Sequence, residues 1–180
     1  MTKEDTVSSE RIYEGRVINL RIDSVRMPDG QIRQREIVEH RGAIAIVAIT
    51  RDDSVLLVRQ FRSGPGRVLL EIPAGTREVG EPVEECVQRE LQEETGHRAG
   101  KIRRLLGFFS SPGFCDEFLE IYVATDLSPS TLTADDDEQI AVESVPVGQL
   151  SEMMRSGEIC DAKSVAGLLA YLFLENKARG

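Results

Sequence analysis

Arg89, Glu90, Glu93 and Glu94 crowd the second half of a segment, Pro82 to Thr95, whose spacing predicts a helix. Wound at about 100° per residue, Val83, Val87 and Leu91 mark its apolar stripe. Glu90 and Glu94 fall among those residues, with Glu93 to one side. A carboxylate turned toward a core costs on the order of several kcal/mol unless something compensates it. Carboxylates at i, i+3 and i+4 also repel one another. A divalent cation relieves both penalties, and oxygen donors without histidine or thiolate suit Mg²⁺ or Mn²⁺ better than zinc. The competing reading is a solvated acidic face, which is the usual state of a charge cluster. It conflicts with the position of the glutamates on the valine stripe.

The elements that must hold this helix follow from the flanking pattern. Pro82 suits the first helical position, and Gly96 suits the C-terminal stop. Before the helix the chain reads as strands. Arg11 to Val25 alternates loosely, Pro28-Asp29-Gly30 is a turn, and Gln31 to Glu39 is extended again. Ala43 to Ile49 is apolar without alternation, as in a strand buried on both faces, and Val55 to Val58 repeats the pattern. A loop from Ser63 to Arg67 leads to a short strand, Val68 to Ile72. After the helix, strands are expected near Ile102 to Phe109, Phe118 to Ala124 and Ile140 to Val145. Two further helices close the chain, Gly148 to Arg155 and Ala162 to Lys177. The second has Asp161 as its N-cap, with Val165, Leu168, Leu169, Leu172 and Phe173 on one face. The expectation is a mixed α/β sandwich.

Gly75-Thr76-Arg77-Glu78-Val79-Gly80-Glu81, seven more residues, and Arg89-Glu90-Leu91-Gln92-Glu93-Glu94-Thr95-Gly96 together resemble the Nudix box. The box closes with an aliphatic residue, where this chain has His97. That position often packs back on the last helical turn, so the departure bears on local stability and removes no ligand. The resemblance implies the Nudix fold, an α/β/α sandwich with a mixed sheet. Residues 41–180 would form that domain, and residues 1–40 an N-terminal antiparallel β region. It further implies Glu90 and Glu94 as primary Mg²⁺ ligands, Glu93 as an assisting one and the Ala74 carbonyl as another. Arg89 would orient the carboxylates by pairing with Glu81 or Glu93.

Outside the box, Ser111-Pro112-Gly113-Phe114-Cys115-Asp116-Glu117 lies downstream, and His40-Arg41-Gly42-Ala43, Arg59-Gln60-Phe61-Arg62 and Leu70-Glu71-Ile72-Pro73-Ala74-Gly75 lie upstream. These look like the ADP-ribose pyrophosphatase branch, close to nucleoside-diphosphate-sugar hydrolases. By that likeness Glu117 is the general base on a mobile loop, and Arg62 clamps the diphosphate. Arg41 would lie near the terminal base, with Gly113 and Phe114 in the substrate loop. Tyr13 and Phe61 are candidate stacking aromatics. The likeness also implies a homodimer built through the N-terminal strands. Hydrolysis of ADP-ribose to AMP and ribose 5-phosphate is the expected reaction. GDP-mannose or ADP-glucose as substrate, or a sensor that binds ADP-ribose without turnover, are the alternatives.

Composition sets the outer bounds. The chain has 180 residues, 31 acidic against 22 basic, for a net charge of −9, so coating a nucleic-acid backbone is disfavoured. Three scattered cysteines form no pairable framework and suit a reducing, cytoplasmic setting. Two histidines cannot build a multi-histidine zinc site, and no apolar run is long enough to span a membrane. The run Asp135-Asp136-Asp137-Glu138 reads as a solvated loop, and Gly64-Pro65-Gly66 lacks the lysine of a P-loop. Cys115 reads as incidental, Cys86 as packing, and the role of His40 is left open.

Overall fold

The structure is a computed structural model that describes residues 4–132 and 139–178, with side chains through 174. The acidic run Asp135-Asp136-Asp137-Glu138 lies outside the described residues. The chain divides into two compact units, Met1–Gly42 with Phe108–Phe118, and Ala43–Gly107 with Leu119–Gly180.

The first unit is built on an antiparallel sheet of β1 (Asp5–Glu14), β2 (Ile18–Arg26) and β3 (Ile32–His40) in that spatial order. Arg11 to Val25, read from sequence as one extended run, is two strands. The break is at Gly15, whose N–H donates to the Ile18 carbonyl at 3.1 Å and to Asn19 Oδ1 at 3.2 Å. A side chain there would meet the Tyr13 ring at 2.5 Å, so the turn requires glycine. The Pro28-Asp29-Gly30 turn forms as expected, with Gly30 at φ 83°. β1 is exposed at every position.

The second unit is a mixed sheet faced by helices. Its strands and helices are, in chain order, β4 (Ala43–Ile49), β5 (Ser54–Arg62), β6 (Arg67–Glu71), β7 (Ala74–Thr76), α1 (Val83–Thr95), β8 (His97–Arg98), β9 (Lys101–Phe109), β10 (Phe118–Thr125), β11 (Ser128–Pro129), β12 (Ile140–Pro146), α2 (Leu150–Ser156) and α3 (Ala162–Ala178). The spatial order is β12-β5-β4-β10-β9, with β6 on β5 and β7 on β4. β4 and β10 run parallel, Ile121 beside Ala45 and Tyr122 beside Ile46. Side chains alternate between faces. Ile44, Ile46, Ala48, Tyr122 and Ala124 therefore share one face and pack with Cys86, Val87 and Leu91 of α1. Ile121 points the other way, and Gly167 of α3 lies so close that a Cβ there would reach Ile121 Cδ1 at 3.0 Å. Helices on both faces of a sheet buried through its centre make the expected α/β/α sandwich.

Three local readings change. Pro82 sits outside α1 as its N-cap, with ψ 142°, instead of occupying the first helical position. The expected helix from Gly148 begins as a 3₁₀ turn, Val147–Gln149, before α2. The apolar face assigned to α3 coincides only in part with its buried face: Leu168 is fully buried and Val165 and Leu172 are half-buried, but Leu169 and Phe173 are 52% and 59% exposed. Ser164 and Tyr171, outside the expected face, are buried beside Leu168. Two anchors set this rotation. Asp161 Oδ1 caps the helix by accepting from the Ser164 N–H at 3.1 Å, and Ser164 Oγ accepts from the Ile72 N–H at 2.9 Å. No helix among the described residues is long and apolar enough to cross a membrane.

Candidate active site

α1 carries its carboxylates where the sequence placed them, among buried residues. Glu90 and Glu94 are 8% and 5% exposed, beside fully buried Val87 and Leu91. Gly96 closes the helix in the left-handed region at φ 69°, its N–H donating to the Gln92 carbonyl. Gln88 ties α1 to the following segment through a pair of bonds with the Ala99 backbone, at 2.7 and 3.0 Å. His97, in the box's aliphatic position, is half-buried and makes a polar contact, Nδ1 to the Thr95 carbonyl at 2.7 Å.

Gly75, on β7, explains how a glutamate fits there. A Cβ on Gly75 would fall 1.9 Å from Glu90 Cδ and Oε1, so the carboxylate occupies space that any other residue would fill. Next to it, the Ala74 N–H donates to Glu94 Oε2 at 3.0 Å. Arg89 binds the remaining glutamates. Its Nη1 reaches Glu90 Oε1 at 2.7 Å and Glu93 Oε2 at 3.0 Å, while Nε and Nη2 hold Glu81 at 2.8 and 3.1 Å. Arg89 thus pairs with both residues proposed for it and with Glu90 as well. The Arg89 hydrogen bonds pull the Glu81 carboxyl down to about 2, helped by the Glu78 N–H. The same bonds raise the Arg89 guanidinium above its ordinary value. Burial pushes the Cys86 thiol up to about 12, with Glu81 adding to the effect, which fits packing and no nucleophilic role.

Among the described residues no three His, Cys, Asp or Glu side chains stand together as a metal-holding group. Glu90 and Glu93 meet Arg89 and Glu94 meets Ala74, as just described. The residues nonetheless fit a hard divalent cation. The donors are all oxygen, two are buried carboxylates, and Gly75 leaves the open backbone against which one of them rests.

Arg62, at the end of β5, is held by a residue the sequence reading quoted only as part of a motif. Glu71, 1% exposed, accepts from Arg62 Nε at 3.1 Å and Nη2 at 2.6 Å, and from Lys163 Nζ at 2.5 Å. Burial alone would push the Glu71 carboxyl up, but the two cations hold it below its ordinary value. The signal available beforehand was an acidic residue closing the apolar run Val68-Leu69-Leu70. Lys163 gave no such signal. Arg59, by contrast, pairs on the surface with Glu143 and Glu158.

Within the first unit, the segment carrying Glu117 lies along β3. The Val38 N–H donates to the Phe114 carbonyl at 2.7 Å, the Asp116 N–H returns to the Val38 carbonyl at 3.1 Å, and the His40 N–H reaches Asp116 Oδ1 at 2.8 Å. Gly113 and Phe114 line a cleft of about 490 Å³ with Arg35, Ile37 and Phe109. Arg41 is exposed and lines another, of about 280 Å³, with Glu14, Arg16, Asn19 and His40. Tyr13 and Phe61 are both more than half exposed.

Two family models match the chain: the NUDIX domain over residues 39–166, and the nucleoside diphosphate sugar hydrolase N-terminal domain over residues 4–38. An ADP-ribose pyrophosphatase of Bacillus subtilis (strain 168) is 39% identical over 175 residues, covering 96% of this chain and 94% of that protein. A GDP-mannose pyrophosphatase of Escherichia coli (strain K12) is 32% identical over 186 residues, covering 96% of each. A crystal structure of an ADP compounds hydrolase superposes with a TM-score of 0.89 at 25% identity, covering 100% of this chain and 98% of that one.

Proposed function

The chain belongs to the NUDIX family and is a Nudix pyrophosphohydrolase, and from that premise we propose that it hydrolyses the diphosphate of ADP-ribose to AMP and ribose 5-phosphate. The observation that carries the proposal is α1, where Glu90 and Glu94 are buried against Gly75 and Ala74 with Arg89 between Glu81, Glu90 and Glu93. In this reading Glu90, Glu94, Glu93 and the Ala74 carbonyl hold Mg²⁺. The bound cation supplies neutralisation of the diphosphate and of the departing phosphate. Arg89 keeps the carboxylates in position. Arg62, its guanidinium fixed by Glu71, clamps the diphosphate, while Arg41, Gly113 and Phe114 meet the nucleoside. Glu117 takes the proton of the attacking water. The oxygen so freed bonds to phosphorus as the bond to the bridging oxygen breaks. A homodimer formed through the N-terminal strands belongs to the same reading, and the apolar residues exposed on β1, Val7, Ile12 and Tyr13, support it.

A nucleotide sugar is the second reading, favoured by the 32% identity to the GDP-mannose pyrophosphatase. Turnover coupled to excess phosphatase separates the two, run with Mg²⁺ on ADP-ribose, GDP-mannose and ADP-glucose. Preference for ADP-ribose is the expected result, preference for a sugar nucleotide keeps the chemistry and replaces the substrate, and binding without turnover would mark a sensor. Glu94→Gln is expected to lower kcat about a thousandfold with the fold intact. A near-wild-type rate in that variant would remove the metal assignment.

A further inference from the structure

Arg77, in the loop between β7 and α1, has no part in the reading so far. It is half-buried, and its Nη2 donates to the Glu81 carbonyl at 2.9 Å, joining one end of the loop to the other. Burial raises the Tyr122 hydroxyl above its ordinary value, and Arg77 is among the cations that oppose the rise, so its guanidinium lies within electrostatic reach of β10. Arg77 Nε is enclosed and, among the described residues, meets no hydrogen-bond partner. A buried donor left unpaired costs about 1–3 kcal/mol. The bond from Nη2 is what the position gains in return.

What that bond fixes is Glu81. The middle of the loop gives little support, since Glu78 and Gly80 are exposed and Val79 is 92% exposed. The Glu81 N–H donates to the Glu78 carbonyl at 3.2 Å, and Glu81 Oε2 accepts from the Glu78 N–H at 3.0 Å. Both bonds lie within the loop and move with it. Arg77 follows directly on β7, so its bond refers Glu81 to the sheet instead. The Glu81 carbonyl also shares a peptide plane with Pro82, whose ring holds φ at −60° just before α1. Holding that oxygen sets how the chain enters the helix. It also sets where the Glu81 side chain, 11% exposed, meets Arg89 at 2.8 and 3.1 Å. Arg89 in turn reaches Glu90 and Glu93.

We infer that Arg77 is a positioning residue for the α1 carboxylates, acting through Glu81 and Arg89. The inference rests on the reading of Glu90, Glu93 and Glu94 as ligands of a divalent cation. A guanidinium has no lone pair to offer a cation, so Arg77 acts only on the ligands. Hydrogen-bond partners that stand behind metal ligands change metal affinity by about 10- to 100-fold. Arg77 stands behind Glu81 and Arg89, which puts its effect at the lower end of that range. The effect falls on metal affinity and spares turnover once the metal is saturating.

Two readouts test it, after thermal melts confirm that each variant folds. Mn²⁺ binding to the substrate-free protein is measured from the electron paramagnetic resonance signal of the free ion. The Mg²⁺ dependence of turnover is followed on ADP-ribose, or on GDP-mannose if that is what the wild type hydrolyses. Arg77→Met is expected to weaken Mn²⁺ binding about tenfold and to raise the Mg²⁺ concentration for half-maximal turnover equally, with kcat at saturating Mg²⁺ within about threefold of wild type. Arg77→Gln, too short to reach the carbonyl, takes its place if the Met variant melts early. Arg77→Lys keeps a donor at the end of a flexible chain and loses the unpaired Nε, so both values should stay within about threefold of wild type. In a Glu81→Ala background the Met substitution should change neither. Unchanged Mn²⁺ affinity in Arg77→Met would overturn the inference, as would equal losses with Met and Lys, or a loss that persists without the Glu81 side chain. Wild-type Mn²⁺ affinity in Glu94→Gln would remove the metal reading and the inference together. Lost Mn²⁺ binding in Glu94→Gln beside an indifferent Arg77→Met would remove the inference alone.

Discussion

On α1, Glu90 and Glu94 are buried beside Val87 and Leu91, whereas on α3 Leu169 and Phe173 stay exposed while Ser164 is fully buried. The two helices pack on opposite faces of the same strands, and each buries polar residues beside its apolar ones. In both, hydrogen bonds and glycines decide which residues turn inward. Glu94 is held by the Ala74 N–H and Glu90 lies over Gly75, while Ser164 is held by the Ile72 N–H and Gly167 lets α3 sit down on Ile121. The difference lies in what each burial serves. Ser164 completes backbone hydrogen bonding at the end of β6. The α1 carboxylates gather negative charge that Arg89 only partly offsets.

The sharpest way to break this comparison is on α3. Leu168→Ala is expected to cost about 2–5 kcal/mol, since the residue is fully buried, whereas Leu169→Ala should cost no more than about 0.5 kcal/mol. Comparable losses in urea unfolding would mean that the apolar periodicity had marked the buried face after all. On α1, Gly75→Ala places a methyl group where the Glu90 carboxylate now lies. The flexible carboxylate moves and the fold survives, so turnover should fall about a hundredfold while the melting temperature changes little. If the melting temperature collapses and residual activity per folded molecule is normal, Gly75 serves packing alone.

The smallest effect concerns Glu81. Its carboxyl, held at about 2 by Arg89, is depressed in the folded chain. The stability it contributes is fully present above the unfolded value of roughly 4.3 and is lost as pH falls from there toward 2. Arg89→Met should therefore show a shallower loss of stability across that window than wild type. Melts at pH 7, 4 and 3 measure the difference. Parallel acid limbs would show that the Arg89–Glu81 pair adds nothing to folding.

Much of this was legible in the residues. The central strand Ala43–Ile49, the helix after Pro82, its glycine stop and the glutamates on its apolar stripe all follow from type and spacing. The rotation of α3 was not legible, because Leu169 and Phe173 satisfy the same period as Leu168 and the deciding bonds come from Ile72 and Asp161, remote or outside the pattern. Nor was the grip of Glu71 on Arg62 and Lys163. Lys163 is 92 positions from Glu71 in sequence, and only the fold brings the two together.

The first unit takes its strands from the start of the chain but needs Phe108–Phe118 to complete it. On a ribosome the two pieces emerge in order, separated by β4 to β9. At roughly 5–20 residues per second, the end of β3 waits several seconds for the segment that bonds Val38 and His40. During that interval β1 to β3 lack the partners that bond Val38 and His40 in the finished unit. The first unit can therefore close as soon as the Glu117 segment emerges, whereas the second still waits for Leu119–Gly180, which brings β10 to the middle of its sheet.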